Sequence, residues 1–212
     1  MGDADGPVFR HDPTASQTAA AATVHGLQAR PSRDALAALV RGDPDAAALA
    51  EQVWMRVLER VLTVQPADRP DELMKALGRG LRNPTGMSRD DLAWLGLLIN
   101  DPFARDRAVL SLEPSDAEGW VELWSRVVRA CPHGTQDNPL AVLGLAAWVN
   151  GDGALQSVCL EEMDALGIRP GLKNLLENLS AAVVPPSEWP GLRESLRELI
   201  EEADDEVPDE VA

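Results

Sequence analysis

The sequence predicts an all-α fold of about ten helices, and three observations support that class. Apolar residues recur at intervals of three and four, which is the period of one helix face, as in Leu49, Val53, Val57, Leu58 and Val61. Polar caps and first-turn prolines mark the helix starts. No stretch between turn residues alternates apolar and polar side chains as a strand does. Short connections favour antiparallel hairpins, arranged as a bundle or a superhelical stack.

The first half of the chain contains five predicted helices. Proline at the first helical position costs little, because the N–H that it lacks would have no partner in the helix. The five predicted helices are an alanine-rich amphipathic helix over 14–27, a helix capped by Ser32, a helix from Pro44 to about Val64 capped by Asp43, a helix opening at Pro70, and a helix over 92–99 behind the Ser88–Asp91 cap.

The second half restarts after Asn100-Asp101-Pro102 and continues in the same style. A serine or threonine followed three residues later by an acid is the signature of a capping box, and Ser115 with Glu118 fits it. The remaining predicted helices are 120–131, a helix from Asn138-Pro139 to Trp148, and helices over 154–166, 171–182 and 191–203.

Gly151-Asp152-Gly153 interrupts two apolar runs, and three kinds of loop contain such glycines. A phosphate loop needs a preceding strand and a following Lys-Ser or Lys-Thr, and neither is present. A calcium loop needs acids at alternating positions, whereas Asp152 stands alone until Glu161. The sequence therefore predicts a turn between antiparallel helices. Gly151 ends one helix in the left-handed conformation, and Asp152 caps the next.

This hairpin resembles one tetratricopeptide unit, because Gly144 and Gly151 lie seven residues apart. The resemblance is limited to this helix pair. Gln156 occupies a position where that repeat has a small residue, and no second copy occurs at the repeat's period of about 34 residues.

Charge and composition exclude several classes of function. The 212 residues carry 19 basic and 35 acidic side chains, a net charge of −16, which repels nucleic acids and anionic membranes. No leader pattern and no membrane-length apolar run are present, and two cysteines indicate a reducing compartment, so we expect a cytoplasmic protein. The predicted organisation is a flexible segment over 1–13, a helical domain over 14–203 with an alternative internal boundary near 84–87, and a disordered acidic tail over 204–212.

No residue pattern in the sequence indicates catalysis, a metal or a cofactor. Cys131 and His133 are metal-type ligands, but no second pair has ligand spacing, and His11 and His25 are scattered. Nucleophile elbows and zinc-protease signatures are absent from the sequence. We therefore expect no catalytic, cofactor-binding or metal-binding residue.

Six residues remain as candidates for an interaction surface. For the tryptophans, packing in the core is the favoured interpretation, and an exposed groove is the alternative. The arginine and the first aspartate lie among apolar neighbours, so each is expected to pair across helices or to line a groove. The six candidates are Arg105, Asp106, Trp120, Trp124, Trp148 and Asp152.

Several blocks of the chain together resemble the actinobacterial family called domain of unknown function 4192. They are "AAAATVHGLQARPSRDALAALV", "MSRDDLAWLGLLINDPFARDRAV", "ELWSRVVRACP", "NPLAVLGLAAWVNGDGALQSVCLEEM" and "PPSEW", and they extend over about 14–190. The resemblance implies a scaffold and no reaction. It also implies an α/β half that is missing here, so the chain is expected to be the helical C-terminal portion. Ile168-Arg169-Pro170-Gly171 departs from the family's Asp-Pro-Asp-Tyr step.

Two functions therefore stay open. The first is a non-catalytic protein-interaction module, because paired helices present surfaces for other proteins. The second is a small-molecule binding protein or an enzyme with a pocket near Arg105, Asp106 and Trp148. An acidic mimic of nucleic acid is a third reading that rests on charge alone. The expected partner is a protein, without direct contact to nucleic acid or to a membrane.

Overall fold

The computed structural model of the protein describes residues 32–41, 44–167 and 171–205, and these residues form helices without any strand. This confirms the predicted all-α class. The ten α-helices of the described ranges are α1 (Arg33–Val40), α2 (Ala47–Val61), α3 (Arg69–Arg82), α4 (Arg89–Leu98), α5 (Pro102–Leu110), α6 (Ala117–Ala130), α7 (Asp137–Val149), α8 (Gly153–Ala165), α9 (Leu172–Ala181) and α10 (Trp189–Asp205).

Several predictions fall outside these ranges. They are the flexible segment 1–13 with His11, the helix 14–27 with His25, the cap Asp43, the step 168–170 and the tail beyond Asp205.

Short 3₁₀ turns that open with proline precede half of the helices. Proline fixes φ near the helical value and needs no hydrogen-bond acceptor, so it starts a turn at little cost. These turns lie ahead of α2, α3, α4, α6 and α10, and they cover Pro44–Ala46, Pro66–Asp68, Pro84–Gly86, Pro114–Asp116 and Pro186–Glu188.

Side-chain caps hold two helix starts that the sequence marked with serine. The Ser32 hydroxyl accepts from the N–H of Ala35, and Ser88 forms a reciprocal capping box with Asp91. The capping box predicted at Ser115 is wrong, since no side chain caps α6. Pro114 starts a 3₁₀ turn that already includes Ser115, so the serine lies inside a helical turn and lacks the extended backbone of a cap.

The core is organised around α7, which is buried from Pro139 to Val149 on every side. Such a helix has no polar face, and it stays in place only when neighbours cover its whole circumference. Helices α6, α8 and α9 pack against it. Gly144 allows the approach of α9, because a Cβ there would lie 2.9 Å from a methyl carbon of Leu176.

The remaining helices close the structure into a bundle. Helix α1 packs on both α6 and α8, α2 packs on α4, and α3 packs on α4, α5 and α6. Contacts between elements so distant in sequence differ from a superhelical stack, in which each unit touches only its neighbours. Core side chains lie on both sides of residues 84–87, for example Leu77 and Leu92. The internal boundary near 84–87 stays a prediction.

Candidate functional site

The turn between α7 and α8 has the geometry that the sequence predicts. Gly151 adopts φ +76°. The N–H of Asp152 donates to the carbonyl of Ala147 at 2.8 Å, and the N–H of Gly151 donates to that of Trp148 at 2.9 Å. These are the two bonds of a Schellman motif. The Asp152 carboxylate then accepts from the N–H of Leu155 at 3.0 Å and caps α8. The tetratricopeptide character of this hairpin stays a prediction.

Trp148 is buried, with only 4% of its surface exposed, which agrees with the favoured core interpretation. Its indole Nε1–H donates to the carbonyl of Val184 at 3.1 Å. Its ring meets Trp189 edge to face, with centroids 6.2 Å apart. The Nε1–H of Trp189 in turn donates to the carbonyl of Leu112 at 2.9 Å. Two indoles therefore tie the segment between α9 and α10 to the rest of the bundle.

Val183 lies in that segment and has an unusual backbone. It adopts φ +52°, the left-handed region, and it is the only non-glycine residue of the described ranges to do so. The N–H of Val184 donates to the carbonyl of Leu179 at 3.0 Å, so Val183 occupies the position that glycine usually takes in a Schellman motif. A β-branched residue there is strained. Its side chain is 83% exposed.

A concavity of about 430 Å³, here called the turn concavity, lies between this segment and the α7–α8 turn. Gln156 is buried beside it and donates from Nε2 to the Ser180 hydroxyl at 3.0 Å. This hydrogen bond gives the buried amide of Gln156 a partner, and it explains why a polar residue occupies a position where the tetratricopeptide repeat has a small one. The lining is mainly apolar and consists of Trp148, Gly151, Gly153, Gln156, Leu179, Ser180, Val183, Val184, Pro185 and Pro186.

The other two candidate tryptophans belong to the core. Trp120 and Trp124 are fully buried on α6, one turn apart, with stacked rings whose centroids are 6.3 Å apart. Neither indole N–H has a hydrogen-bond partner within the described part of the chain. An exposed aromatic groove at these two positions is therefore not formed.

Arg105 and Asp106 pair with each other. The Arg105 guanidinium lies 2.9 Å from the Asp106 carboxylate, and both side chains are partly exposed on α5. The sequence predicts that each residue pairs across helices or lines a groove. The structure instead pairs the two with each other, because Asp106 is the next residue along the same helix and its carboxylate lies within hydrogen-bond distance of the guanidinium. Neither residue lines the turn concavity, so no pocket there joins them to Trp148.

Cys131 and His133, the two metal-type ligands of this segment, lie in different surroundings. Cys131 is buried and packs closely on Gly96, where an added Cβ would lie only 2.8 Å from the sulfur. His133, in contrast, is exposed. Burial raises the pKa of the Cys131 thiol, which keeps it protonated at neutral pH. Within the ranges that the structure describes, no three ligand-type side chains are grouped to hold a metal ion.

A second concave region was missed by the sequence reasoning. It comprises an arginine concavity of about 290 Å³ and an adjoining cavity of about 370 Å³, which share Ala46 and Arg129. Arg89 comes from the start of α4, and Arg126 and Arg129 come from the end of α6. The only sequence signal for this concavity is the spacing of three between Arg126 and Arg129, which places both on one face of α6. Arg89 is brought beside them by tertiary packing alone.

The fold and these surfaces define a helical bundle with open concavities, in which no helix of the described ranges is long and apolar enough to cross a bilayer. The chain belongs to the family described as a domain of unknown function (DUF4192), whose family model matches residues 6–187. This confirms the family that the motifs indicated over 14–190. Neither a curated protein nor a solved structure matches the chain.

Proposed function

We propose that the protein is a non-catalytic protein-interaction module. The turn concavity receives an apolar side chain from a basic segment of the partner. The observation that supports this proposal is the exposed, left-handed Val183 at an apolar concavity.

The left-handed backbone of Val183 is costly for a β-branched residue. A non-glycine residue held in the left-handed region costs about 1–3 kcal/mol, and such residues concentrate at functional sites. Glycine or asparagine makes the same turn at lower cost. The valine side chain is exposed, so it gains little from packing in the free protein. Contact with a partner would bury this apolar side chain and so stabilise the complex.

The charge of the whole molecule selects the partner's chemistry. A net charge of −16 attracts basic segments and slows the approach of acidic ones. The concavity itself is mainly apolar. A basic segment with one apolar anchor is therefore complementary to this protein in two ways. Its charge is opposite to the net charge of the molecule, and its apolar side chain matches the apolar lining of the turn concavity.

Site-specific photocrosslinking in the native host tests the location. A photoreactive amino acid at position 183 is compared with the same amino acid at Leu62, an apolar residue that follows the last residue of α2 and is 69% exposed. We expect a crosslinked protein at position 183 that is absent at position 62. Equal crosslinking at both positions would reject the turn concavity as the interface.

The partner that the crosslink identifies is then purified, and its affinity for variants at position 183 tests the role of the Val183 side chain. Val183→Asn keeps a backbone that asparagine tolerates but removes the apolar contact. We expect the partner's Kd to rise about tenfold or more, as for a central apolar anchor, and the matched variant Leu62→Asn to leave it unchanged. The melting temperature of Val183→Asn should be equal to or above that of the parent. A folded Val183→Asn protein with unchanged affinity contradicts the proposal.

A further inference from the structure

Three arginines converge on the arginine concavity without a counter-charge. Its lining contains Arg89, Arg126 and Arg129 and no acidic side chain. Within the described ranges none of the three forms an ion pair. Eight other arginines of those ranges do pair with carboxylates, namely Arg33, Arg41, Arg56, Arg69, Arg105, Arg107, Arg193 and Arg197. Arg60, Arg79 and Arg82 also form no ion pair within those ranges, but none of them lines a concavity described above. The arginine concavity is therefore the place where three unpaired arginines lie together.

Backbone contacts orient two of these guanidinium groups and leave their charge unneutralised. Arg129 donates from Nε to the carbonyl of Ser125 at 3.2 Å, and Arg126 donates from Nη2 to the carbonyl of Thr85 at 3.3 Å. The Nε of Arg126 is buried and has no partner in the described part of the chain. A guanidinium presents its donors in a planar fork that matches the oxygens of a carboxylate or phosphate.

The adjoining cavity offers a different surface. Its Arg41 is already paired with Glu162 at 3.2 Å, so it adds little free charge. Buried Gln136 donates from Nε2 to the carbonyl of Val128 at 3.1 Å and is thereby fixed in the wall. The rest of the lining is small or polar and includes Ala46, Ala47, Ala50, Glu51, Pro132 and His133. The volume of about 370 Å³ suits the body of a small molecule.

The charge distribution decides between a small anion and a polyanion. A nucleic acid or an anionic membrane extends over many ångströms and meets the field of the whole molecule, which is strongly negative. A small ligand presents its charge mainly to the three arginines, of which Arg126 is half-buried and Arg89 and Arg129 are exposed. The half-buried charge of Arg126 is screened less by salt than an exposed one.

We propose that the arginine concavity binds the oxyanion group, a phosphate or a carboxylate, of a small molecule whose remaining part occupies the adjoining cavity. This site is separate from the turn concavity, so either proposal stands if the other fails.

Isothermal titration of the full-length protein with inorganic phosphate and with succinate, at constant ionic strength, tests the oxyanion site. We expect saturable binding of at least one of them. Arg129→Gln and Arg89→Gln should weaken it about tenfold each, the usual effect of one charge-assisted hydrogen bond. Arg79→Gln is the matched control, because Arg79 is an exposed arginine on α3 outside both concavities. The anion that binds more tightly identifies the source of the oxyanion.

Ribose 5-phosphate, or a sugar acid if succinate binds better, tests the adjoining cavity. The sugar part of this ligand should occupy the adjoining cavity and lower the Kd relative to that of inorganic phosphate or succinate. Ala50→Leu, which narrows the adjoining cavity, should remove that gain while leaving the bare anion's Kd unchanged. Melting temperatures without ligand verify that every variant is folded. The proposal is overturned if neither anion binds, or if Arg129→Gln and Arg79→Gln behave alike.

Discussion

Trp148 combines apolar packing with one hydrogen bond, and its truncation separates structure from recognition. The indole is buried against Trp189 and bonds to the carbonyl of Val184. Trp148→Ala is expected to lower the free energy of unfolding by about 3–5 kcal/mol, because it leaves a cavity in the core. Denaturant unfolding measures this loss. Trp148→Phe should lose less, since it keeps most of the packing. A stable Trp148→Ala protein that no longer binds its partner contradicts the structural role.

Gly151 owes its place to backbone conformation alone. Its φ is +76°, and a Cβ added there would meet nothing within 4 Å. We expect Gly151→Ala to cost about 1 kcal/mol or more, because the left-handed conformation is unfavourable for alanine. Gly153→Ala is the matched control two residues away. Gly153 begins α8 with equally open surroundings, so alanine there should be neutral or slightly stabilising. Equal denaturation midpoints for the two variants would remove the cap assignment.

Helix α7 depends on close approach by α9, and Gly144 is where that approach occurs. A Cβ at Gly144 would lie 2.9 Å from Leu176 Cδ1 and 3.4 Å from the Cβ of Cys159. Gly144→Ala is expected to destabilise the protein by about 1–3 kcal/mol through overpacking. Gly78→Ala is the control, because Gly78 lies within α3 and its added Cβ would only touch the end of Arg82 at 3.6 Å. We expect that change to stabilise slightly, as alanine does in a helix. Thermal unfolding of both variants decides whether packing at Gly144 matters.

Caps and turns that depend on a few neighbouring residues could be predicted from the sequence, whereas others could not. The caps at Ser32 and Ser88 and the turn at Gly151 depend on a few neighbouring residues, and the structure has them as predicted. The cap at Ser115 failed because Pro114 extends the helical turn one residue earlier than the motif implies. Left-handed Val183 runs against the local preference of valine, so no pattern predicts it.

The candidate sites were harder to predict because they depend on tertiary contacts. Trp148 could be placed in the core from its apolar helix, but its bond to Val184 joins residues 36 apart. The arginine concavity combines Arg89 with Arg126, and the unpaired state of each depends on where every acid lies in space. Periodicity contains none of that information.

At the scale of the whole molecule, acidic charge dominates the surface. The sequence predicts that the acidic tail over 204–212 contributes little to folding, since it carries five acids and no base. A chain ending at Ala203 should unfold within about 0.5 kcal/mol of the full chain, the usual range for surface changes. Calorimetry of both proteins at the same ionic strength tests this. A loss of several degrees in melting temperature would show that the removed residues dock on the bundle.

The covering of α7 also sets a condition on biosynthesis. Residues Pro139–Val149 are buried on all sides, and part of their cover comes from α9, which Trp148 and Trp189 help to fasten. The ribosome must add about 40 residues after Val149 before Trp189 exists, which takes about 2–8 s at ordinary elongation rates. During that interval the most apolar stretch of the nascent chain lacks its native cover. We therefore expect chaperones that hold nascent chains to bind this stretch until Trp189 has been synthesised and can pack against Trp148.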